Sequence, residues 1–181
     1  ARAIALHEED PDLVFVGIEQ GGVLKSTNGG ATWTLEDEKI HPDIHGFSIH
    51  PSDPDLIFAA TGGGVYRSED QGESWDLLFR SYTREVFLHP HEEDVVLAGP
   101  AEHIGHEGRI MISEDWGENW TPASKGLVVP MRDMVRMFVY DERTEKHLFM
   151  VSSDGDLYHT FLEELDWDPT YEIGSPVYSM D

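Results

Sequence analysis

Short runs of β-branched, aromatic and leucine residues recur along the chain, separated by Gly, Pro, Asn and Asp. Leu13-Val14-Phe15-Val16 is one, Leu56-Ile57-Phe58-Ala59-Ala60 a second, Val95-Val96-Leu97-Ala98 a third and Leu148-Phe149-Met150-Val151 a fourth. Each follows a turn such as Asp10-Pro11-Asp12 or Pro51-Ser52-Asp53-Pro54-Asp55. Runs of this length bounded by turn residues read as strands. No stripe of period 3.6 competes with them, so no helix is expected. Four strands per unit, in the order a, b, c and d, account for nearly the whole chain. The units fall at about 1-42, 43-81, 82-130 and 131-174, and Pro176 to Met180 reads as an extra strand within 175-181.

Between c and d each unit carries an eight-residue phrase. It reads Ser, any, Asp or Asn, any, Gly, any, small polar, Trp. The first copy has Ser26, Asn28, Gly30 and Trp33, the second Ser68, Asp70, Gly72 and Trp75. The third has Ser113, Asp115, Gly117 and Trp120. A worn fourth keeps Thr160 and Trp167 but has Leu162 and Glu164 at the Asp and Gly positions, so a hairpin with a different tip is expected there. The side chains suit a stapled turn. The hydroxyl and the Asp or Asn oxygen accept backbone N–H groups, and Gly takes a positive φ at little cost. The Trp at the end of the phrase then covers apolar surface. By this logic Trp33, Trp75 and Trp120 are buried, and Trp116, at a variable position, is more exposed.

The copies start at positions 26, 68, 113 and 160. A period of about 40–50 residues with several strands per unit points to propeller blades. The phrase resembles the Asp-box, or BNR repeat, of sialidases, sortilin-type receptors, xyloglucan-degrading hydrolases and photosystem assembly factors. The resemblance covers nearly the whole chain. It implies an all-β propeller, or part of one, whose boxes are chiefly structural and lie away from the functional centre. Propellers have about four to eight blades. The chain is therefore part of a larger ring, or a ring of four, or a unit that completes a ring with another copy. The unpaired extra strand favours the first and third outcomes over a closed four-bladed monomer.

Composition narrows the partners. Over 181 residues, 36 Asp and Glu stand against 12 Lys and Arg, a net charge of −24. That charge disfavours nucleic acid and anionic membranes. No apolar run approaches the length of a membrane span. There is no cysteine, so disulfides and thiolate chemistry are excluded. The scarcity of lysine fits a salt-loving host as well as it fits an ordinary acidic protein. The chain begins at Ala1 and shows no leader, and a cytoplasmic location is expected, with an upstream signal left open. No cofactor and no metal are expected.

Candidate chemistry lies at the start of strand a, which lines the channel of a propeller. Arg2, His45 and Arg84 hold that place in the first three units, and Arg132 and Arg136 flank it in the fourth. Together they would make a basic ring suited to a carboxylate or sulfate. The plainer reading pairs them with local acids such as Glu85 and Asp133. A second candidate is His103 and His106 in a long b–c connection, ligand types that equally suit a solvated loop. His7, His50 and His89 end their strands a, with Tyr140 at the matching place, and are expected to bond turn backbone. Two functions follow. One is a non-catalytic module that binds a protein, a carbohydrate or a small anion at the channel mouth. The other is a glycoside hydrolase or sialidase-like enzyme. The sialidase resemblance would cast Arg84, Arg132 and Arg136 as an arginine triad and Tyr82 with Glu85 as its Tyr–Glu pair.

Overall fold

Residues 2–7, 9–36, 39–144 and 146–171 are described by a computed structural model. The extra strand expected at Pro176 to Met180 lies outside them. The described residues contain no helix. They form four antiparallel sheets, in sequence order from the inner to the outer strand but for one added strand in the third. Sheet one is β1 (Ala3–Leu6), β2 (Leu13–Ile18), β3 (Gly22–Thr27) and β4 (Thr34–Glu36). Sheet two is β5 (Ile44–Ile49), β6 (Ile57–Thr61), β7 (Val65–Ser68) and β8 (Asp76–Phe79). Sheet three is β9 (Tyr82–Leu88), β10 (Val96–His103), β11 (His106–Gly108), β12 (Met111–Ser113) and β13 (Thr121–Pro122). Sheet four is β14 (Val135–Tyr140), β15 (His147–Ser152), β16 (Leu157–Phe161) and β17 (Asp168–Tyr171). These are four blades of a β-propeller. The one added element is β11, which pairs with an extended β10, so the long b–c connection of the third blade is a hairpin.

The boxes staple the c–d turns as their residues dictate. The Ser26, Ser68 and Ser113 hydroxyls accept the N–H of Gly30, Gly72 and Gly117 at 2.9, 2.8 and 2.8 Å. Asn28, Asp70 and Asp115 accept the N–H of Thr32, Ser74 and Asn119, each at 2.8 Å. These bonds hold the Asp70 and Asp115 carboxyls below the usual range, burial opposing them at Asp70. The glycines take φ of 86°, 79° and 88°, where a Cβ would be strained. Each Trp indole donates back to the glycine carbonyl, at 2.9, 3.1 and 2.8 Å. In the worn copy the tip is a turn in which Glu164 N and Leu165 N both donate to Phe161 O, and Trp167 Nε1 donates to Ala123 O of the preceding blade.

Three apolar clusters seal consecutive blades. Leu13, Phe15 and Val23 meet Ile44, Ala59, Tyr66 and Trp75. Phe58 and Ala60 meet Val86, Val96, Trp116 and Trp120. Leu97 and Ile110 meet Phe138, Met150 and Trp167. The tryptophans of the second, third and fourth boxes thus pack against the blade before their own. This rule corrects the expectation of uniform burial. Trp75 is 2% exposed and Trp167 1%, but Trp33 is 41% exposed, since no blade of the described residues stands before the first. Trp120 is half-buried against Phe79, 4.9 Å between ring centroids. Trp116 is half-buried as well, against His50 at 5.5 Å, more exposed than Trp75 and less exposed than Trp33.

Close approach at the inner strands depends on small residues. A Cβ on Gly17 would lie 2.6 Å from the Ile44 side chain, and one on Gly99 2.4 Å from Val135. The inner strand of each following blade therefore packs directly onto the second strand of the blade before it.

Candidate functional site

The inner strands share one irregularity. Between Ile44 and Gly46, the partners of Thr61 and Ala60, His45 is the extra residue. Between Thr83 and Val86, the partners of Pro100 and Ala98, Arg84 and Glu85 together face Gly99. Between Val135 and Met137, the partners of Ser152 and Val151, Arg136 is the extra residue. Each is a β-bulge, which lifts a residue out of the alternation and re-aims its side chain. Three blades place their bulge at the same level, at the end opposite the boxes. Candidate residues His45, Arg84 and Arg136 all fall on these bulges.

The cations there are poorly matched by acids. Among the described residues neither Arg84 nor Arg136 makes an ion pair, and the buried Arg84 Nε finds no hydrogen-bond acceptor. The Arg84 guanidinium sits 5.8 Å from the centre of the Tyr82 ring, a cation–π distance. Burial, then the like charges of Arg84 and Arg2, push the Arg136 guanidinium down from its ordinary range. It stays charged, because guanidinium does not lose its proton in proteins. Arg2 is compensated by Glu19 at 2.8 Å.

Glu85 shares the bulge with Arg84. Burial pushes its carboxyl up to about 8, against the pull of Arg136. Its surface area is only partly removed from water, but its carboxyl lies deep against the neighbouring inner strand, with Oε2 beside Gly46. At neutral pH Glu85 is therefore mostly protonated and cancels neither arginine. His45 is neutral too. Burial lowers it first, while the Thr83 carbonyl, 2.7 Å from Nδ1, and Asp43, 3.1 Å from Nε2, pull the other way. The Thr83 contact fixes a proton on Nδ1. The Nε2–Asp43 approach is too poorly aligned to count as a hydrogen bond.

The remaining candidates go elsewhere. Arg132 is 95% exposed on its side chain and reaches only Asp154, at 4.0 Å, so it does not join Arg84 and Arg136. Asp133 accepts Asp154 N at 3.3 Å and serves the fourth blade rather than an arginine. His103 and His106 face each other across the β10–β11 hairpin, rings 5.1 Å apart, and His103 Nε2 meets Glu107 at 3.3 Å. They line an open recess with Tyr82 and Gly62, near the bulges but in solvent. No group of three metal-ligand side chains occurs among the described residues. At the opposite end His7 Nδ1 accepts Asp10 N, and His89 Nδ1 accepts His91 N and Glu92 N. His50 departs from that pattern, its buried ring nitrogens lacking a partner among the described residues. Asp43 was not singled out by sequence, although its place two residues before His45 was the available signal.

Residues 21–160 match the model of the Sortilin-Vps10 family (Sortilin, neurotensin receptor 3). The chain belongs to the Sortilin-Vps10 family. No curated protein sequence matches this family member. Among solved structures it is similar to an ancestral GH74 enzyme, with a TM-score of 0.80 and 18% identity over 99% of this chain and 24% of that one. The nidogen/laminin complex matches with a TM-score of 0.72 and 12% identity, over 96% of this chain and 65% of the other. YCF48 bound to D1 peptide matches with a TM-score of 0.61 and 15% identity, over 92% and 51%. At these identities the likeness is one of fold. This Sortilin-Vps10 chain spans about a quarter of the GH74 enzyme and between half and two thirds of the other two.

Proposed function

We propose that these blades form a non-catalytic binding module that takes an anionic group of a protein partner or small ligand at the inner-strand bulges. One observation carries the reading: Arg84 and Arg136 converge without an ion-pairing acid, beside a Glu85 that is protonated at neutral pH. A carboxylate or sulfate would supply the missing acceptors, and guanidinium binds both through paired N–H donors. The protonated Glu85 adds a donor. YCF48 and nidogen, which share the fold, were solved with a peptide and with a protein, which supports a binding role for such blades.

The hydrolase reading has one feature in its favour. A carboxylic acid with a raised pKa is what a glycosidase uses as proton donor, and Glu85 is such a group. Cleavage also needs a second carboxylate about 5–10 Å away. The charge that acts on Glu85 beside burial is a cation, Arg136, and a site lined by arginines favours a bound anion.

Calorimetric titration with sulfate, glucuronate, sialic acid and an acidic peptide tests the reading. Each charged hydrogen bond is worth about 1.5–3 kcal/mol, so Arg84→Ala with Arg136→Ala should weaken binding about tenfold or more. Arg132→Ala should leave it unchanged. Equal affinity in wild type and the double variant would remove the site. Release of sugar from xyloglucan that stops in Glu85→Gln would replace binding with hydrolysis.

A further inference from the structure

The three seams that join consecutive blades are built alike but do not close alike. Trp75 and Trp167, which end the second and fourth boxes, are almost fully buried, whereas Trp120, which ends the third, is half-buried. Beside Trp120 the seam between the second and third blades holds a recess of about 240 Å³. Phe79 and Arg80 line it from the second blade, and Pro100, Arg109, Met111 and Trp120 from the third. Two departures from the repeat accompany the space. Two residues before the box serine the second blade has Tyr66, which is buried with Trp75 in its seam, and the third has the half-buried Met111. An unbranched thioether fills less of the gap than a phenol ring does. Four residues before the serine stand Gly22, Gly64 and then Arg109, so the third blade alone of these puts a cation there.

The lining has two kinds of chemistry. Its walls are apolar and aromatic. The Phe79 and Trp120 rings meet edge to face, 4.9 Å between centroids, and Met111 and Pro100 adjoin them. Ring edges and a thioether sulfur both attract a further aromatic ring. The polar part is cationic. Arg80 is exposed and makes no ion pair or hydrogen bond among the described residues. Arg109 gives one N–H to Glu102 at 2.9 Å, and a guanidinium has five. Ser81, also in the lining, donates its hydroxyl to Ala101 O at 2.8 Å, which leaves the arginines as the donors. No acidic residue lines the recess among the described residues, in a chain of net charge −24. An apolar hollow with a few placed polar groups is the usual form of a small-molecule site.

We propose that this recess binds a small aromatic carboxylate, with its ring beside Trp120, Phe79 and Met111 and its carboxylate at Arg80 and Arg109. Guanidinium pairs with a carboxylate through two parallel N–H donors and also stacks on aromatic faces, so the two arginines suit both halves of such a ligand. The volume, below the range of about 300–1,000 Å³ typical of drug-sized ligands, suits a single ring. The recess is separate from the inner-strand bulges, since none of Arg84, Glu85 and Arg136 lines it. Either site can therefore be lost without the other.

Titration of the chain with phenylacetate, followed at the indole N–H resonance of Trp120 by two-dimensional NMR, tests the proposal. Trp120→Phe assigns the resonance. A saturable shift is expected. Phenylacetamide, which keeps the ring without the charge, and acetate, which keeps the charge without the ring, should each bind about tenfold or more weakly. Arg80→Gln with Arg109→Gln should weaken phenylacetate binding by about tenfold or more. Met111→Tyr, which installs the residue of the second blade, should fill the recess and abolish binding, with an unchanged circular dichroism spectrum. Arg84→Ala with Arg136→Ala should leave phenylacetate binding as in the wild type, which separates this site from the bulges. A Trp120 resonance that phenylacetate does not move overturns the proposal, and so does a shift that survives the paired arginine variant. An equal response to acetate and phenylacetate overturns it as well, because the aromatic walls would then contribute nothing.

Discussion

Trp75→Ala is expected to lower stability by about 3–5 kcal/mol, the usual range for deleting a large buried aromatic. Trp75 is 2% exposed, packs 6.3 Å from the Phe47 ring within the first seam, and donates its indole N–H to Gly72 O. The loss therefore removes packing between two blades as well as a bond that closes the box. For a chain of this size it corresponds to a fall in Tm of roughly 6–20 °C. Trp33→Ala removes the same residue from the equivalent box of the first blade, yet should cost less than about 1 kcal/mol, because Trp33 is 41% exposed. Thermal melts of the two variants side by side separate the role of the box from that of the seam. Equal losses would show that the box bond, not the blade before it, sets the value of the tryptophan.

Glu85→Gln should flatten the dependence of stability on pH between about 4.5 and 8. The folded chain holds the Glu85 proton up to about 8, while the unfolded chain releases it near the ordinary value of 4.5. Within that window the folded state binds more protons, so stability falls as pH rises and the loss is complete above 8. The effect is on the order of 2–4 kcal/mol, below the full value of the shift because the carboxyl keeps some contact with water. The histidines act with the opposite sign. Burial lowers His45 and His89, so their contribution is lost as pH falls below about 6.5. They are common to both proteins, and the difference between wild type and Glu85→Gln isolates Glu85. Urea unfolding at pH 5, 7 and 9 measures it. A constant difference across the three values would mean that Glu85 titrates as an ordinary surface acid.

The repeat was legible because its residues act locally. The serine, acid, glycine and tryptophan of each box bond to one another within eight residues, so sequence spacing alone defines the staple. The strands were legible for the same reason, as apolar runs between turns. The site was legible only in part. Arg84 and Arg136 stood out as cations at the start of inner strands. What brings them together is a bulge in each of three blades, and a bulge arises from pairing with the neighbouring strand, which no single segment encodes. Arg132 has the same chemistry four residues before Arg136 but precedes the strand, and so points into water. Glu85 illustrates the other limit. Beside arginines it reads as an ion-pair partner, but its burial against Gly46 keeps it protonated. The exposure of Trp33 has the same origin, since the fate of a box tryptophan depends on the blade that precedes it.

The most direct test of the proposed anion site is a side-chain NMR titration of Glu85 with and without sulfate. An anion held by Arg84 and Arg136 disfavours a second negative charge beside it, so its binding must raise the Glu85 pKa, and by linkage its affinity must fall as Glu85 ionises. The account predicts a midpoint near 8 in the absence of sulfate and a higher one in its presence, with the sulfate shift lost in Arg84→Ala with Arg136→Ala. A Glu85 midpoint near the ordinary 4.5, or one that sulfate leaves unmoved in the wild type, would contradict it.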